Sequence, residues 1–164
     1  MEDDVREAIG NQINQELRAA YLYLAMAGHF EVESLDGFAK WMRMQAREEV
    51  GHAMRLFDFA VRRGAEVKLL DVPGPKAKFG SPLEIFKQAL EHEIKVTALI
   101  NGLYELAALK KDYPTQIELQ WFIQEQVEEE ESAGKIVEQL ELAGDNRAAL
   151  LALDQKLGSR GAAE

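Results

Sequence analysis

Apolar residues recur every three or four positions through four long stretches of this chain. From about Asp4 to Glu31 the series Val5, Ile9, Ile13, Ala20, Tyr23, Ala27 and Phe30 has the period of one buried helix face. A second series begins near Asp36 and runs through Phe38, Met42, Gln45, Leu56 and Phe59. It ends at Arg62-Arg63-Gly64, two bases followed by a C′ glycine. A third opens with Ser81-Pro82-Leu83-Glu84, which supplies an N-cap, an N1 proline and a capping-box glutamate, and continues through Phe86, Leu90, Ile100, Tyr104 and Ala107. A fourth starts near Pro114, carries Leu119, Phe122, Ala133, Ile136, Leu140 and Ala143, and closes at Gly144. Asp145 to Leu157 reads as a short amphipathic helix with Leu150, Leu153 and Leu157 at helical spacing, and Gly158 to Glu164 as an exposed tail.

The connections predict an all-α four-helix bundle. About four residues separate the first two helices and two or three the last two, so each pair forms an antiparallel hairpin. Gly64 to Ser81 spans 18 residues. Extended at about 3.3 Å per residue, such a segment reaches roughly 60 Å, more than the ~42 Å of a 28-residue helix. It can return along the whole bundle and leave the second and third helices parallel. The expected organisation is a bundle over residues 1–144 with this one long crossover, then a short C-terminal helix and tail over 145–164. A completed bundle offers Leu150, Leu151, Leu153 and Leu157 no obvious partner, so they are expected to pack against other copies of the chain.

Each apolar stripe is interrupted by one carboxylate: Glu16 between Ile9 and Tyr23, Glu49 between Met42 and Leu56, Glu93 between Phe86 and Ile100, and Glu129 between Phe122 and Ile136. Residues seven apart on a helix differ by only about 20° in direction, so all four share the buried face of their neighbours. Within each hairpin they lie at nearly one height. Glu16 and Glu49 are 17 and 16 residues from Glu33 at the first turn, and Glu93 and Glu129 are 19 and 17 from Asp112 at the second. Levelling one hairpin with the other needs a stagger of roughly 9 Å, which the long crossover permits. Four buried negative charges need cations or protons, and His52 adds a nitrogen ligand one turn beyond Glu49. Two divalent metals would balance the set, and an oxygen-rich site with one imidazole suits Fe or Mn. The alternative at this point is a satisfied polar core without metal.

Composition narrows the classes. With 19 Lys+Arg against 29 Asp+Glu, the net charge is −10 at 47% apolar residues, which argues against a nucleic-acid binder and a disordered segment alike. The absence of Cys removes disulfides, Zn-thiolate sites, Cys-ligated clusters and thiol catalysis. No stretch approaches about 18 uncharged apolar residues, and the acidic start is unlike a signal peptide. A cytoplasmic protein without a membrane partner is expected.

Four motifs then carry a resemblance: Asn14-Gln15-Glu16-Leu17 with Tyr21-Leu22-Tyr23-Leu24; Glu48-Glu49-Val50-Gly51-His52-Ala53-Met54; Glu91-His92-Glu93; and Trp121 through Glu130. Through them the chain resembles the haem-free ferritins of bacteria and archaea over nearly its full length. The resemblance implies a ferroxidase centre in which Glu16, Glu49 and His52 hold one iron and Glu49, Glu93 and Glu129 the other, with Glu49 bridging. It also implies that Gln126 lines the centre, that Tyr23 sits beside it in a catalytic role, and that Glu48, Glu125 and Glu128 form a third, weaker iron position. Oxidation of Fe²⁺ by oxygen or peroxide, and mineral storage inside a homo-oligomeric shell of 24 subunits, are the implied functions. Bacterioferritins are similar but place a second Glu-x-x-His on the fourth helix, where Ser132 follows Glu129 here, and a haem-holding methionine where Val50 stands. Rubrerythrins carry a Cys-ligated iron module that this chain cannot form. Among the other notable residues, packing accounts for Tyr23 as readily as a redox or hydrogen-bonding role does. Trp121 and Met54 are expected to be packing residues, and His29 and His92 surface residues.

Overall fold

The computed structural model describes residues 1–75 and 78–159. They form five helices: α1 (Asp3–Val32), α2 (Asp36–Arg62), α3 (Pro82–Leu109), α4 (Tyr113–Ala143) and α5 (Arg147–Gly158). Local chemistry sets the starts. The Ser81 hydroxyl and the Glu84 carboxylate form the expected capping box on α3. Asp112 caps α4 through the Thr115 N–H, and Asn146 caps α5 through the Ala149 N–H. Gly64 (φ +71°) and Gly144 (φ +52°) end α2 and α4 in the left-handed region. Ser34 and Lys111 take the same region in the two hairpin turns at φ +59° and +54°.

Ion pairs between helices give the topology. Arg43 meets Glu31 across α1 and α2, and Lys87 meets Glu141 across α3 and α4, so both hairpins are antiparallel. Lys110 at the end of α3 bridges Glu2 and Asp4 at the start of α1. Arg55 pairs with Glu118, and Arg63 with Asp112, along α2 and α4. With α1 antiparallel to both α2 and α3, α2 and α3 run parallel, as the crossover length allows. That crossover lies along α1: Asn14 Nδ2 donates to the carbonyls of Leu70 (3.3 Å) and Asp71 (3.2 Å), and Phe79 reaches the His29 ring near the end of α1.

Two apolar clusters flank a polar layer at mid-height. One gathers Tyr23, Phe30, Phe38, Trp41, Phe86 and Leu140. The other gathers Ile9, Ile13, Leu56, Ile100, Leu119 and Phe122. A fully buried large apolar side chain contributes roughly 1.5–3 kcal/mol, and an unsatisfied buried polar group costs about 1–3 kcal/mol. The clusters can therefore carry a few unfavourable groups between them.

Three expectations change. The bundle does offer α5 a partner: it packs on α2 and α4 of its own chain, with Leu153 buried and Leu150 and Leu157 against the Tyr23 cluster, while Leu151 alone of the four is exposed. The reason lies in the α1–α2 turn, where the start of α2 presents Gly37 and a free Phe38 N–H for α5 to cover. The helix also extends through Gly158, which is therefore not tail; residues 160–164 lie outside the described residues. Finally, Met54 is exposed rather than core, because it is five positions from Glu49 and about 140° around α2 from it. No described helix is long and apolar enough to cross a membrane.

Candidate metal centre

Glu16, Glu49, Glu93 and Glu129 each sit near the middle of a long helix, and all four are buried, as is His52. The stagger between hairpins is realised through bonds that cross from one to the other. The Tyr23 hydroxyl on α1 donates to Glu93 Oε1 on α3, and Gln45 Nε2 on α2 donates to Glu129 Oε2 on α4 at 2.6 Å. The four carboxylates thus form one layer.

Ligand atoms of Glu16, Glu49 and His52 lie within 4.8 Å of one another, as do those of His52, Glu125 and Glu129. His52 Nδ1 is 3.6 Å from Glu49 Oε2. Glu16 Oε1 accepts from Gln12 Nε2 at 2.8 Å, but Glu16 Oε2 and Glu49 Oε2 are buried and receive no hydrogen bond. Two orphaned carboxylate oxygens facing an imidazole are a donor set that a cation completes.

The electrostatics agree. Burial first, then the Glu49 charge, pushes the Glu16 carboxyl well above the ordinary carboxylate value, and burial followed by Glu93 does the same to Glu49. Burial also raises Glu93, against the hydrogen bonds from Tyr23 and Gln126. Glu129 is pushed up to about 7 by burial and then by Glu93, with the Gln45 bond opposing. Tyr23, buried beside Glu93, is held protonated well past its usual range. Without cations this layer takes up protons; with them it can release protons and bind metal.

The remaining expected residues fall into place unevenly. Gln126 is buried and donates to Glu93. Glu48 and Glu125 are half-buried and line, with His52, Arg55, Asp58 and Trp121, a cavity of about 830 Å³. Glu128 is exposed, and its carboxylate belongs to neither close group. Trp121 packs edge-on against His52 (5.5 Å between centroids) and under the Arg55 guanidinium. His29 and His92 are not surface residues. His29 is half-buried between Phe30 and Phe79, because the crossover covers that end of α1. His92 packs edge-on against Tyr23 with Nε2 buried and unpartnered, and burial pushes it down to about 4. Sequence reasoning missed Gln12, Gln45 and Thr97 as supports of the layer. The signal was present: each lies four residues from a layer glutamate, on the same helix face.

A four-helix layer of glutamates with one histidine and two orphaned oxygens decides the comparison with known proteins. The ferritin-like domain matches residues 6–143. The chain belongs to the ferritin family. Its relatives are of the haem-free kind: the bacterial non-heme ferritin of Bacteroides fragilis is 40% identical over 158 residues, covering 96% of this chain and 98% of the relative. That of Staphylococcus aureus is 40% identical over 154 residues, covering 94% and 93%. Among solved structures, an open-pore ferritin from the hyperthermophilic archaeon Archaeoglobus fulgidus superposes with a TM-score of 0.96 at 48% identity, covering 98% of this chain and 99% of that one.

Proposed function

We propose that the chain oxidises Fe²⁺ at the carboxylate layer and stores the Fe³⁺ as mineral inside a hollow homo-oligomeric shell. The observation that carries this reading is the pair of buried, unpartnered oxygens on Glu16 and Glu49 beside His52. In it, Glu16, Glu49 and His52 bind one iron, and Glu49, Glu93 and Glu129 the second. Two Fe²⁺ held side by side deliver two electrons to one molecule of oxygen or peroxide. Tyr23, hydrogen-bonded to Glu93, orients that carboxylate. Gln126 lines the centre, and Glu48, Glu125 and Glu128 form a third position on the path of the product, reached through the cavity beside His52. Iron is cargo, so no haem or other resident cofactor enters the reading.

The shell, at 24 subunits, and a cytoplasmic setting extend the family resemblance. The Archaeoglobus fulgidus relative is described as an open-pore ferritin, and a closed form of it has been engineered; a pore that opens or closes belongs to an enclosing assembly. The test is Glu49→Ala. Removing the shared ligand should abolish rapid Fe²⁺ oxidation in stopped-flow absorbance, while stability of the metal-free protein holds or rises because a repelling charge is gone. Oxidation at the wild-type rate would show that the layer is not the site.

A further inference from the structure

On the α3–α4 side of the layer the Gln126 amide is held by more than Glu93. Its nitrogen stands 3.2 Å from the Glu93 carbonyl oxygen, 3.3 Å from Glu93 Oε2 and 3.2 Å from Thr97 Oγ1. Thr97 in turn donates its one hydroxyl proton to Glu130 Oε1 at 2.5 Å. The direction of the outer bonds in this run is fixed from the Glu130 end, and that of the bond to the Glu93 carbonyl by the carbonyl itself, which can only accept. Glu130 Oε1 accepts the Thr97 hydroxyl proton, which leaves Thr97 Oγ1 able only to accept from the amide. Thr97 and Glu130 lie where the run meets the surface, in a cleft of about 360 Å³ between α3 and α4 that also includes Asn101 and Val127. Neither residue belongs to the layer itself.

We propose that Thr97 and Glu130 are positioning residues that hold Gln126 as a hydrogen-bond donor to Glu93 and so keep its carbonyl oxygen from the second metal position. The proposal rests on the two-metal reading above and names what tunes its weaker half. An amide offers a donor face and a ligand face and cannot present both to one site. With nitrogen toward Glu93, Gln126 occupies a lone pair of a carboxylate that a cation would use. Turned over, the same side chain would add a neutral oxygen to a position whose other donors, on Glu49, Glu93 and Glu129, are all carboxylates. Anchoring the nitrogen face keeps the second position loose, which suits a cation that is cargo and must move on.

Anaerobic calorimetric titration of the intact protein with Fe²⁺, repeated with redox-silent Zn²⁺, tests this. Wild type should bind in two steps. Thr97→Val, which removes the acceptor at nearly constant shape, should tighten the second step by roughly three- to tenfold, the worth of one hydrogen bond, and leave the first unchanged. Glu130→Ala, at the outer, half-buried end of the run, frees the Thr97 hydroxyl to donate to a turned amide and should act in the same direction. Thr97→Ser should restore wild-type binding. A second step that is unchanged or weakened in Thr97→Val and Glu130→Ala, a change shared equally by both steps, or a failure of Thr97→Ser to restore it overturns the proposal. Two cations bound in one equal step by wild type would also overturn the proposal, whereas fewer than two per chain would overturn the two-metal reading on which it rests.

Discussion

At the scale of single residues, the layer's chemistry is set by carboxyl groups that folding makes harder to ionise. Glu129 shows the consequence for stability. Its folded value of about 7 lies above the ordinary 4.5, so the folded state keeps a proton that the unfolded chain releases between those values. This contribution is fully present below about pH 4.5 and is lost as the pH rises through about 7, and Glu16, Glu49 and Glu93 shift in the same direction. Metal-free protein should therefore melt at a lower temperature at pH 8 than at pH 5.5, by a difference on the order of 2 kcal/mol for Glu129. Glu129→Gln should flatten the dependence, because a neutral amide of similar shape has nothing to ionise. Thermal denaturation across that pH range checks both, and a metal-free protein that grows more stable up to pH 8 would contradict the shifts. Added Zn²⁺ at pH 8 should restore stability and release protons to the buffer, since the cation replaces what the carboxyls had bound.

At the scale of elements, α5 is held by a cap that comes from outside the helix it caps. α2 has no side-chain N-cap of its own; instead Asp154 Oδ1 on α5 accepts the Phe38 N–H at 2.8 Å, and Lys40 Nζ reaches the Gly158 carbonyl at 2.7 Å. Gly37 makes the approach possible, because a Cβ there would stand 1.7 Å from the Asp154 carbonyl oxygen. Asp154→Ala should cost about 1 kcal/mol, the usual worth of a cap, and Gly37→Ala more, since backbone must move. Both should speed proteolysis between α4 and α5 and leave the bundle's metal binding intact; equal cleavage rates in variants and wild type would show that the cap does not secure α5. This docking was not legible in the sequence, because nothing in the spacing of Leu150, Leu153 and Leu157 says which surface receives them. The helices themselves were legible, because period, caps and glycines all point the same way, and so were the layer glutamates, as charges on apolar stripes. His92 was misjudged because it stands beside Glu93 in sequence, and angle on one helix says nothing of what a neighbouring helix brings. Thr97 and Gln45 carried a spacing signal, four residues from a layer glutamate, but the groups they reach, Gln126 and Glu129, stand on α4, which spacing within one helix does not reveal.

At the scale of the whole molecule, a net charge of −10 on each copy opposes assembly, so a shell must be held by apolar contact. The outer face of α1 and α2 is the surface we propose for it: Leu17, Ala20, Tyr21, Leu24, Ala46 and Val50 line a cavity of about 370 Å³ edged by Arg43 and Arg47. Exposed apolar side chains set beside charges are what a subunit contact would cover. Of these, Tyr21, Leu24 and Val50 are exposed in the single chain, Leu24 at 52%. A charge at Leu24 should therefore leave one copy folded and damage only its contacts with others. Leu24→Arg is expected to keep the helical content of wild type and its stepwise binding of Fe²⁺ under anaerobic conditions, while native mass spectrometry shows small species in place of a closed shell. If the proposed function holds, iron oxidised by such a variant should precipitate instead of staying in solution, because the carboxylate layer survives and the proposed compartment does not. If Leu24→Arg assembled to the wild-type mass and retained soluble mineral, this face would not be a contact that the shell depends on.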